Sequence, residues 1–150
     1  MSQDLHQETI TLFNHHPKTD KWYSTVLTGV HLELARGAAP SVNAGIVKGD
    51  DILAILPVST GKTITETDGE TVRQYVRPKE YDALEDTAGH FTFHPQRDFF
   101  VMGNQATEPL DDDDYDEGFY HAMNDSLDEV YMIESASYFN LIPHFEIVGR

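Results

Sequence analysis

The chain has 150 residues, 39% of them apolar, which is the size of one domain able to bury about two-thirds of its unfolded surface. It contains no cysteine, which excludes disulfides, thiolate metal sites and a cysteine nucleophile and suits assembly in a reducing cytoplasm. Its formal charge of −16, from 26 acidic and 10 basic residues, argues against a general grip on nucleic acid, which needs lysine and arginine at the phosphates. Repulsion of nucleic acid, or docking on a basic partner, fits that sign. The imbalance is also uneven: no lysine or arginine lies between Asp98 and Gly149, where half of the acidic residues sit.

Residues 1–8 have neither the basic flank nor the apolar stretch of a signal peptide and read as a short disordered arm. No apolar run approaches the roughly 18 residues of a membrane-spanning helix. Residues 9–13 alternate, with Ile10 and Leu12 on one face, and predict a first strand. Asn14, Pro17 and Asp20 then break the ladder. Residues 22–35 form the longest predicted strand, with Val26, Val30, Leu32 and Leu34 on one face and Thr25, His31 and Glu33 on the other. Gly29 interrupts it and predicts a bulge, and the two runs together predict a hairpin. Residues 36–49, rich in Gly, Ala and Ser, read as a loop.

The continuous apolar run at 51–58 predicts a strand buried on both faces, since Pro57 blocks a helix. Residues 59–74 are polar and read as an extended, exposed loop, with extended structure resuming at Tyr75 and Val76. Pro78 at a first helical position, with helix formers behind it, predicts two helical turns to Leu84. Residues 91–93 and 99–102 flank a turn containing Pro95 and Asp98, which predicts a second hairpin. Residues 104–118 carry four adjacent aspartates, Asp111 to Asp114, whose mutual repulsion predicts a solvated loop. A short helix is expected over 119–127. Residues 131–136 and 144–148 alternate, with Tyr131, Ile133, Phe145 and Ile147 inward and Glu134 and Glu146 outward. They predict a C-terminal hairpin that closes a fold begun by the N-terminal strands. The expected fold is a single mainly β domain, a small barrel or sandwich of six or seven antiparallel strands with one or two short helices and long loops.

No catalytic or metal constellation emerges. Thr60-Gly61-Lys62-Thr63 resembles the end of a phosphate-binding loop, but Leu56 stands where the first glycine is needed and Pro57 removes an amide. His90 and His94, with His144 across the sheet, could suggest zinc; yet residues four apart on a strand are roughly 13 Å apart, too far to share an ion. A twelve-residue calcium loop starting at Asp112 would put Glu117 where glycine is required and Met123 where glutamate is required. No nucleophile elbow or serine triad is assembled by the sequence. Trp22 and Tyr23 could stack on a ligand, but a strand start facing the core explains them equally well.

The strand sequences taken together are more telling. ITLFN (10–14), KWYSTVLTGV (21–30), YVRPKE (75–80), FFVMG (99–103), YMIES (131–135) and PHFEIVGR (143–150) fall in that order. The set resembles the small head–tail joining, or head-closure (stopper, neck), structural proteins of long-tailed bacteriophages of Gram-positive hosts, over most of the chain outside 36–74 and 104–118. The resemblance implies a virion protein assembled in the host cytoplasm, a ring of six or twelve copies linking portal or adaptor to tail around the DNA channel. It implies no catalysis, no cofactor and no metal; DNA passes nearby without being specifically bound. Under this reading Glu108, Asp111, Asp112, Asp113, Asp114, Asp116 and Glu117 face the channel or a basic neighbour. Thr63, Thr65, Glu66, Asp68, Glu70 and Arg73 belong to a loop that orders on assembly. The alternatives are an acidic DNA-mimic inhibitor of a host DNA-binding enzyme, a tail-terminator or tail-completion protein and, third, an enzyme.

Overall fold

The computed structural model describes residues 8–34 and 51–150; the loop expected at 36–49 and all but Glu8 of the N-terminal arm lie outside the described residues. β1 (Glu8–His16) and β2 (Lys21–Leu34) form the first antiparallel hairpin, Phe13 facing Ser24 and His15 facing Trp22. Glu8 is thus the start of a strand and not part of an arm. Further along, Glu8 faces Val30 while Ile10 faces Leu27, so β2 carries one residue more than β1 there. Gly29 takes up the excess at φ +67°, a backbone conformation that costs glycine little. Beyond this bulge β2 leaves β1 and pairs with β3 (Ile52–Pro57), His31 facing Ile55 and Leu32 facing Ala54. The expected bulge is therefore a barrel corner.

The C-terminal hairpin of β9 (Val130–Phe139) and β10 (His144–Gly149) completes the circuit. β10 pairs with β3, and β9 pairs with β7 (Phe99–Met102), which returns to β1. Six antiparallel strands close in the order β1-β7-β9-β10-β3-β2, and β8 (Leu110–Asp111) adds a seventh strand on β2. Closure removes the free edges that would otherwise template aggregation. Ile10, Leu12, Val30, Phe100, Ile133 and Ile147 are among the side chains filling the interior, each 1% exposed or less.

The apolar run at 52–57 is not buried on both faces. Ile52, Ala54 and Leu56 point inward, while Leu53 and Ile55 on the outer face stay half-exposed. Double-sided burial falls instead on β1 and β7: Phe13, Phe99 and Val101 face outward and pack with Trp22, Phe119 and Val130. α2 (Phe119–Ser126) covers that wall, presenting Phe119, Tyr120 and Met123 to it. Which wall receives the helix decides which strand is buried twice.

Residues 59–74 are not a loop. β4 (Thr63–Thr65) and β5 (Val72–Tyr75) form a hairpin, and β6 (His90–Phe91) pairs parallel to β5. Ile64, Tyr75, Phe91 and Phe93 join the barrel core, so this small sheet plugs one end of the barrel. The Asp68 carboxylate accepts the amides of Glu70 and Thr71 and the Thr71 hydroxyl. These bonds, the hydroxyl's first, hold its pKa down at about 2. The hairpin expected between 91–93 and 99–102 does not form either, because β6 turns to β5 while β7 inserts between β1 and β9. α1 (Pro78–Ala83) forms as expected, with Pro78 at its first position and the Glu80 carboxylate accepting the Arg77 amide at 3.2 Å. Among the described residues no helix is long and apolar enough to cross a membrane.

The segment between Thr92 and Asp98 is held from inside. Asp98 is fully buried: its Oδ2 accepts Asn14 Nδ2 at 2.8 Å and the His94 amide at 3.1 Å. Its Oδ1 accepts the His15 amide and Arg97 Nε, both at 3.1 Å. Burial pushes the carboxyl up, and the Arg97 charge and these donors pull it back. Arg97 continues to Asp82 on α1 at 3.2 Å, and Asn14 Nδ2 also donates to the Thr92 carbonyl at 2.7 Å.

Candidate functional site

Two surfaces stand out, an acidic strap and an apolar hairpin tip. The strap, residues 104–118, begins where Gly103, at φ +83°, turns the chain out of β7. Thr11 Oγ1 donates to the Gly103 carbonyl at 2.7 Å and accepts the Gln105 amide at 2.8 Å. Ser24 Oγ and the Thr107 backbone exchange a further pair of hydrogen bonds. β8 then pairs with Lys21 and Trp22. Asp111 meets Lys21 Nζ at 2.9 Å, and this bond, weighed against some burial, holds the ammonium above its ordinary pKa. Asp112 Oδ1 accepts Trp22 Nε1 at 2.8 Å and the Phe119 amide at 2.9 Å, so it anchors the strap and caps the first turn of α2. Burial alone would raise its pKa; the Phe119 amide, the Trp22 indole and the nearby His15 together hold it below the ordinary value.

The acidic run is therefore strapped to the barrel at Asp111 and Asp112, while most of 104–118 stays solvated as expected. Repulsion among the four aspartates is relieved because two of them turn inward to donors on β2. Of the seven acidic residues singled out from the sequence, Asp111 and Asp112 are half-buried and structural. Glu108, Asp113, Asp114, Asp116 and Glu117 are exposed on the outer wall, with Glu117 3.3 Å from His121. A 3-10 turn at Asp112–Asp114 carries Asp113 and Asp114, and Glu108 lies on the other side of β8.

The residues of the expected assembly loop are mostly committed to the hairpin they build. Thr63 and Thr65 lie on β4. Glu66 pairs with Arg73 and accepts the Val26 amide of β2 at 3.3 Å, pinning the hairpin to the barrel. Asp68 closes the turn, and Glu70 beside it points to solvent. Lys62 lies over the Tyr138 ring at 4.5 Å and is not poised over a phosphate cradle. His90 is on β6, His94 is in the turn held by Asp98, and His144 begins β10. Among the described residues no group of three or more His, Asp or Glu is placed to share a metal ion. A polar cleft of about 380 Å³ opens beside the strap near His16, Tyr23, Arg73 and Glu85. Its charged groups are largely taken, Arg73 by Glu66 and Glu85 by Lys18.

The hairpin tip between β9 and β10 is the feature that sequence reasoning passed over. Leu141 is 95% exposed, Ile142 75% and Phe139 43%. The tip is rigidly mounted: Phe139 stacks on His144 at 4.9 Å, and the Val58 amide donates to the Pro143 carbonyl at 3.2 Å. The His144 ring hydrogen-bonds Glu146, which raises its pKa, and the Ile142 carbonyl at 2.7 Å. The signal was present in the sequence as two adjacent branched aliphatics in a turn, where small polar residues are the rule.

The family model described as "Family of unknown function (DUF6751)" matches residues 5–150. The chain belongs to this family. No curated protein and no solved structure matches it. The DUF6751 match spans the barrel, the strap and the tip alike.

Proposed function

We propose that the chain is a structural assembly subunit, a ring-forming head–tail connector or stopper at the neck of a long-tailed bacteriophage. In that role it links portal or adaptor to tail around the DNA channel and works by contact and exclusion, without turnover. The exposed Leu141 and Ile142 on a fixed hairpin tip carry this reading, because side chains that large reach solvent as a pair when they serve as a contact. The closed barrel supports it, since a barrel whose six strands are all paired on both sides associates through side-chain surfaces. The likeness of its strands to phage neck proteins supplies the setting. The exposed carboxylates of the strap, with no lysine or arginine from Phe99 to Gly149, suit a surface that DNA slides past.

A DNA mimic needs carboxylates spaced along a surface as phosphates are. Here Asp111 and Asp112 turn to Lys21 and Trp22, which takes two of the strap's seven carboxylates out of such an array and does not favour that role.

The test is electron microscopy and size-exclusion of the purified chain, alone and with portal rings. The reading expects rings of six or twelve copies, or density capping the portal; a monomer that leaves the portal bare would overturn it. The strap has a separate test, conversion of Asp113, Asp114, Asp116 and Glu117 to amides. Stability is expected to change by less than about 0.5 kcal/mol, because these side chains are exposed. Particles carrying the variant are expected to eject DNA more slowly, and unaltered ejection would count against a role in the channel.

A further inference from the structure

We infer that the tip is the peg of a contact between copies of this chain: Leu141 and Ile142 of one copy seat in an uncharged groove at the same end of the next. This rests on the assembly reading above. The groove, about 400 Å³, is walled by Thr28, Pro57, Val58, Thr63 and Ile64. It lies where β3 ends and the β4–β5 hairpin begins. Among the described residues no charged side chain lines it, and it offers the methyl and ring carbons of Pro57, Val58 and Ile64 to an aliphatic partner.

Charge selects the second copy. On a molecule with a net charge of −16, most ways of bringing two copies together oppose carboxylates. The nine residues from Ser135 to Pro143 carry no charge, and neither do the five from Pro57 to Gly61. Lys62, next in the chain, is turned onto the Tyr138 ring at 4.5 Å. This end is therefore where two such chains can approach with few opposed carboxylates, Glu146 beside it being paired with His144. The same chain supplies both halves, an apolar peg and an uncharged socket in which Pro57, Val58 and Ile64 stand among threonine and serine side chains. Because the tip is pinned by the Phe139–His144 stack and the bond from Val58, little side-chain or loop freedom is lost on docking. Peg and socket are different surfaces, so one-way seating is heterologous and repeats from copy to copy until a ring closes, whereas mutual seating of both pegs stops at a two-fold dimer.

The absence of cysteine makes the test direct. Asn140→Cys, beside the peg, and Ser59→Cys, at the socket rim, are prepared as separate proteins, mixed and treated with a short bis-maleimide. Cross-links between the two variants are expected to exceed those within either alone, and a further Ile142→Asp change on the Asn140→Cys chain is expected to abolish them. In sedimentation equilibrium Ile142→Asp should weaken self-association by about tenfold or more while leaving the melting curve unchanged, since the side chain is exposed. An oligomer that forms without these cross-links, or that survives Ile142→Asp, overturns the peg and socket and leaves the assembly reading standing. A chain that stays monomeric but is captured by portal rings through Ile142 does the same, and assigns the tip to a different protein. A monomer that also ignores the portal removes both.

Discussion

Asp98→Ala is expected to cost about 3–5 kcal/mol, a large fraction of the stability of a domain this size. The reason is the number of donors that converge on one buried carboxylate. Removing it takes one acceptor from Asn14 Nδ2, which keeps only the Thr92 carbonyl, and strips the amides of His15 and His94 and one edge of the Arg97 guanidinium of their shared, fully buried partner. Two of these donors belong to β1 and two to the 92–98 segment, so the loss unties the barrel from the crossover leading into β7. Asp98→Asn separates this from simple loss of volume. It fills the same space but turns one acceptor into a donor facing donors, and it should recover only a minor part of the loss. Urea titration gives the answer: a lower midpoint at unchanged slope for both variants fits the network, whereas near-wild-type stability of Asp98→Ala would refute it.

That network also explains where the sequence misled. The strands at 9–13, 22–34 and 52–57 and the C-terminal hairpin were legible because each alternates or runs apolar within its own few residues. The bulge at Gly29 was legible for the same local reason. The turn at 94–98 looked like a hairpin turn because Pro95 and Asp98 are turn residues. In fact Asp98 is answering Asn14, 84 residues earlier, and no local pattern reveals that. The acidic run misled in the same way, since Lys21 and Trp22, which neutralise and anchor it, are 90 residues from their partners. The β4–β5 hairpin was hidden by composition: its strands are mostly threonine, arginine and glutamine, Val72 faces solvent, and only Ile64 and Tyr75 betray an inward face. Its Asp68-Gly69 turn was the available clue. At the tip, Asn140 and Pro143 give an ordinary turn signal, and it masks the two aliphatics between them.

Trp22→Ala is expected to cost about 3–5 kcal/mol and, unlike a change in the barrel interior, to free the acidic strap as well. The indole packs between Phe99 at 5.2 Å and Phe119 at 5.8 Å, and its Nε1 holds Asp112. One side chain thus joins the outer barrel wall, α2 and the strap. Trp22→Phe keeps most of the packing but loses the bond to Asp112, and Asp112→Ala removes both that bond and the cap on Phe119. Each is expected to cost about 1–3 kcal/mol, and because they share one contact the double variant should lose less than the sum. Acid should act on the same joint. The folded Asp112 carboxyl is more acidic than the ordinary value of 3.8, so the unfolded chain takes up this proton first. Its contribution is complete above that value and is lost as pH falls through the lower folded pKa. Trp22 is the single tryptophan, which makes its fluorescence a direct reporter. Emission should shift toward that of a solvated indole in Asp112→Ala at a pH where the wild type remains docked. Identical emission and identical urea midpoints in the two proteins would mean that the strap is held by something other than Asp112.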